Sequence, residues 1–129
     1  MMFMIEKIEE IKAFIKQKPW FDFQVVSCSN DNLLIAGSTA IHMFYEIYIT
    51  FEQVFMLQLN MDWRVDTSSE VIKIVPGRDA REMNLAYQIE QGYQLFEFIP
   101  DEISENTHFY IAAEKIDYEI INSPDTFWE

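Results

Sequence analysis

At 129 residues the chain has room for one domain, and its apolar half (50%) is interleaved with charge, which sets it apart from disordered sequences. A net charge of −13, from 22 acids against nine bases, repels phosphate backbones and argues against a nucleic-acid partner. The lone cysteine, Cys28, cannot form an internal disulfide, so the sequence predicts a reducing, cytoplasmic setting. No apolar run reaches the roughly 18 residues of a membrane span, and Glu6 interrupts the apolar start too early for a secretory leader, so no membrane association is expected.

Met4, Ile8, Ile11 and Ile15 step by four, three and four, the spacing of one face of an amphipathic helix, which Pro19 ends. Its wet side is basic: Lys7, Lys12, Lys16 and Lys18 outnumber Glu6, Glu9 and Glu10. Strands are then predicted in succession. Phe23–Ser29 and Leu33–Ser38 flank Asn30-Asp31-Asn32, residues that tolerate tight turns, and so read as a hairpin. Tyr45–Phe51 and Val54–Leu59 are separated by Glu52-Gln53 and read as a second hairpin. Val71–Val75 is a fifth strand, ended by Pro76-Gly77.

Asp79 is expected to cap a second helix, with Glu82 at capping-box spacing and Gly92 as the residue that closes it after Gln91. Tyr93–Ile99 returns as a strand, and Asp101–Asn106 reads as an acidic loop. His108–Ala113 and Ile116–Ile120 are two further strand candidates. Strands clustered by short loops imply an α+β domain over 1–129: an N-terminal helix and a largely antiparallel curved sheet of about six to eight strands, whose helices cover one face.

The chemistry-bearing residues are sparse. Cys28 falls mid-strand, where a small buried hydrophobe is the expected role, and no serine sits in a nucleophile elbow. His42 and His108 lie 66 positions apart, with no paired-ligand spacing. Asp62 and Asp66, like the acids of the 101–106 loop, match no cation-loop pattern, so neither a metal nor a cofactor is predicted. Arg78 and Arg81 follow a strand-to-helix junction where an anion could sit, although Asp79 competes for the same backbone donors.

Two features point to a partner. From Glu82 to Glu129 there are eleven acids against one base, Lys115. Aromatics make up 16% of the chain, and Trp20-Phe21, Trp63 and Phe127-Trp128 fall at predicted ends or loops, where such side chains serve as binding anchors. The expected function is a non-enzymatic, acidic protein-binding module, of inhibitor or immunity type, acting on a basic partner. Asp101, Glu102, Glu105, Asp117 and Glu119 are its candidate contacts, and Trp128 its candidate anchor. The alternative is a small-ligand binder or cryptic enzyme with an aromatic-lined pocket between sheet and helix. Homodimerisation through a sheet face or the tail is compatible with either.

Overall fold

The computed structural model describes residues 2–86, 88–89, 92–101 and 109–127. Helix α1 (Met2–Lys16) is followed by β1 (Phe21–Ser29), β2 (Asn32–Ser38), β3 (Ile47–Gln58), β4 (Asp62–Val65) and β5 (Ile72–Ile74). Helix α2 (Gly77–Ala86), β6 (Gln94–Phe98) and β7 (Phe109–Ile120) complete it. All strand pairs are antiparallel, in the order β4-β1-β2-β3-β7-β6-β5. Among the described residues no helix is long and apolar enough to cross a membrane.

Alternation along the strands divides the side chains between two faces. Phe21, Phe23, Ile35, Ile47, Ile49, Phe51, Phe96 and Phe98 point inward and are fully buried, beneath Ile8, Ile11 and Ile15 of α1. The sheet curls around this interior. Trp63 of β4 reaches Phe98 of β6 with ring centroids 5.0 Å apart, although β1, β2, β3 and β7 lie between their strands in the sheet. Phe23 contacts both rings, at 5.5 Å and 5.2 Å, and Phe51 stacks edge-on against Phe96 at 5.2 Å. The result is a half-barrel filled with aromatic rings, most of them in the edge-to-face geometry that ring quadrupoles favour, with Phe23 and Trp63 tilted at 37°.

Several elements depart from the sequence reading. The expected hairpin at Glu52-Gln53 does not form. Gln53 takes a left-handed φ of 53°, the register with β7 shifts between Val54 and Met56, and β3 runs on as one bulged strand. The two late strand candidates are likewise one strand, β7, because β3 supplies a continuous partner from Ile47 to Gln58. His108 lies outside the described residues. Trp63, which the sequence places at a predicted end or loop, sits within β4 and is only 6% exposed.

Helix α2 starts two residues before Asp79: the Pro76 carbonyl accepts from the N–H groups of Asp79 and Ala80, both at 2.9 Å. It ends at Ala86, well short of Gly92, although Gly92 does take the expected left-handed φ of +105°. The helices do not share a face. Ala80 of α2 packs with Leu95 and Ala112, whose strand neighbours Phe96, Ile111 and Ala113 point to the α1 side. α2 therefore covers one corner of the outer face. The Asn30-Asp31 hairpin does form as predicted, with φ of 53° and 64° joining Ser29 to its partner Asn32.

Candidate docking face

The outer face of β1, β2, β3 and β7 lies away from α2 and carries the most coherent surface feature. β3 reads Ile47-Tyr48-Ile49-Thr50, so burying the two isoleucines turns Tyr48 and Thr50 outward. Register then sets Tyr48 opposite Glu119, and Thr50 between Leu34 and Asp117. On β1 the pairing slips between Val25 and Ser27, which leaves Val26 unpaired. Val26, Leu34, Tyr48, Thr50, Asp117 and Glu119 line one groove of about 410 Å³. Its apolar end is formed by Val26, 40% exposed, and Leu34; its acidic end is β7.

The two carboxylates differ. Asp117 Oδ1 accepts the Tyr118 N–H at 2.8 Å and stands 3.5 Å from Lys7 Nζ. Glu119 makes no hydrogen bond or ion pair among the described residues, and neither does the Tyr48 hydroxyl. Tyr118 itself turns its hydroxyl to Glu10 on α1, on the opposite face.

Beyond β1 the same face continues into a second hollow of about 250 Å³, lined by Asp22, Gln24, His42, Asp62 and Arg64. Arg64 bridges Asp22 with two bonds, 2.8 Å and 3.2 Å. That hydrogen-bonded carboxylate, with its charge, raises the guanidinium further above its ordinary value. Asp62 adds a carboxylate, so acids outnumber bases across the face.

The sequence-predicted contacts are only partly brought together. Asp117 and Glu119 share the groove, whereas Asp101 lies at β4, its N–H donating to the Arg64 carbonyl at 2.8 Å. Glu102, Glu105 and Trp128 lie outside the described residues. Arg78 and Arg81 are exposed on α2, and Arg78 Nε stands 3.8 Å from its neighbour Asp79. Cys28 is exposed, not buried, because it sits near the hairpin end of β1. Among the described residues no group of three or more His, Cys, Asp or Glu could hold a metal ion.

The sequence reading missed Val26, Leu34, Tyr48 and Thr50. Strand alternation places Tyr48 and Thr50 outward, but only the β3–β7 register joins them to Glu119. It also missed Glu46, a heavily bonded carboxylate. Glu46 accepts from Lys18 Nζ at 2.7 Å, from the Thr39 N–H at 2.6 Å and from the Thr39 hydroxyl at 2.7 Å. Burial pushes this carboxyl up, but those bonds, with the Lys18 charge, outweigh it and hold the carboxyl below its ordinary value. Glu46 ties the end of α1 to the 39–46 loop, which also receives the tail: the Phe127 N–H donates to the Met43 carbonyl at 2.7 Å.

No family model, curated protein or solved structure matches this chain.

On the α1 side a cleft of about 440 Å³ separates the helix from residues 67–71. Its lining includes Glu9, Lys12, Lys16, Ser68, Ser69 and Glu70 and no aromatic side chain. Lys12 is matched there by Glu9 at 3.3 Å and Glu70 at 3.6 Å.

Proposed function

We propose that this chain is a non-enzymatic, cytoplasmic protein-binding module, of inhibitor or immunity type, which docks a basic protein partner on the outer face of its sheet. The observation that carries the reading is the groove over β1, β2, β3 and β7. Its apolar end supplies surface whose burial drives association, and Asp117 and Glu119 supply charge that steers and orients a cationic partner. The net charge of −13 extends that attraction and opposes binding to nucleic acid. A small-ligand role is less well supported, because the aromatic side chains between α1 and β1 pack on one another as core, through Phe14, Phe21 and Phe23, and the cleft beside α1 is lined by none of them.

The test is a comparative capture from host lysate with the wild-type chain and the Asp117→Lys/Glu119→Lys protein, at low and high salt. A basic protein retained stoichiometrically by the wild type alone, and weakened by salt, supports the reading. Equal retention by both proteins, or no retained protein at either salt, overturns it.

A further inference from the structure

Resting on that reading, we infer that the groove receives an arginine side chain of the basic partner, held by Glu119 and Asp117 and stacked on Tyr48.

The two carboxylates stand two residues apart on one strand, so their Cα atoms are separated by about 6.7 Å and project to the same side. Tyr48 lies opposite Glu119 in register, and Thr50 lies opposite Asp117. Directly opposed side chains have Cβ atoms roughly 5 Å apart, which sets the Tyr48 ring beside the Glu119 carboxylate. Glu119 and the Tyr48 hydroxyl have no hydrogen bond among the described residues, so neither must break one to receive a ligand, whereas Asp117, 3.5 Å from Lys7, would share its carboxylate between that ammonium and the guanidinium.

A guanidinium suits this arrangement for three reasons. Its planar fork of five donors can bridge two separated carboxylates, its flat surface stacks on an aromatic ring, and it is weakly enough hydrated to leave water at an open groove. Its aliphatic stem would lie toward Leu34, leaving Val26 for an apolar neighbour on the partner. A lysine ammonium is a compact, strongly hydrated point charge that gains little from the Tyr48 face.

The test titrates isotope-labelled protein with three small probes, N-acetyl-arginine amide, N-acetyl-lysine amide and the neutral N-acetyl-citrulline amide, following backbone amide shifts. The arginine probe should saturably shift the amides of Tyr48, Thr50 and Glu119, binding about two- to fivefold more tightly than the lysine probe. The citrulline probe should leave them unmoved. Glu119→Gln should weaken the arginine probe, Tyr48→Ala should erase its preference over lysine, and Tyr48→Phe should retain it.

Equal shifts by arginine and lysine at the groove would overturn the arginine assignment while leaving the groove as a cation-docking surface. Shifts scattered over unrelated acids such as Glu6 and Asp125, or no saturable shift with any probe, would overturn both.

Discussion

Trp63 and Phe98 meet ring to ring at 5.0 Å across the mouth of the half-barrel, and Trp63 also meets Phe109 at 5.2 Å. β4 is only four residues long and, among the described residues, pairs with β1 alone, so its place depends on the ring as much as on its ladder. The contact joins β4 to β6 across the interior of the curled sheet.

Trp63→Ala should therefore destabilise the protein by about 3–5 kcal/mol, the usual cost of emptying a large buried aromatic site. Phe98→Leu, which keeps most of the volume, should cost about 1–2 kcal/mol. Urea unfolding followed by far-UV circular dichroism checks both. A loss below 1 kcal/mol for Trp63→Ala would contradict the closure described.

Gly37 marks the tightest point of the interior. A Cβ there would lie 2.4 Å from Phe21 Cε2 and 2.9 Å from Phe23 Cε1, and both rings are fully buried with no room to retreat. Gly37→Ala should cost about 1–3 kcal/mol by overpacking. The same urea transition reads it.

Glu46 gives a pH signature. Its carboxyl is held below the ordinary 4.5 in the folded chain, so its stabilising contribution is complete above that value and is lost as pH falls through the folded one. Glu46→Gln, at a side chain 13% exposed, should be about 1–2 kcal/mol less stable at pH 7. That gap should begin to close near pH 4.5 and vanish below it. A gap unchanged between pH 7 and pH 3 would show that the Lys18–Glu46 clasp does not act through charge.

Cys28 is exposed on β1, so it should react with a thiol reagent in the native protein at one equivalent per chain. Labelling should proceed without a lag and at a rate unaffected by mild denaturant. Reaction only after unfolding would place the thiol inside the core instead.

How far the sequence carried the architecture depended on the range of each signal. The period of α1 and the Asn30-Asp31 turn are local, and both were legible. β4 was not, because Asp62-Trp63-Arg64-Val65 is short and carries two charges; it becomes a strand through pairing with Phe21–Gln24. Gln53 looks like a turn residue and does take the left-handed φ, but the ladder to β7 carries the strand past it, with the register shift falling between Val54 and Met56. Of the groove, Asp117 and Glu119 were visible as alternating acids of a half-wet strand. Tyr48, Leu34 and Val26 were not, since β2 and β7 come to flank β3 only through the long-range sheet order. Glu46 has no local signature at all: its partners Lys18, Ser38 and Thr39 are 28, eight and seven residues away.

Local docking at the groove and attraction by overall charge part company in one affinity comparison. The captured basic partner would be titrated calorimetrically against the wild type, Glu119→Lys, and Glu6→Lys, an equal charge change on exposed α1 across the sheet. Local docking predicts a loss of at least about tenfold for Glu119→Lys and under about twofold for Glu6→Lys. Equal losses in the two variants would contradict it, leaving only the long-range field of an acidic protein.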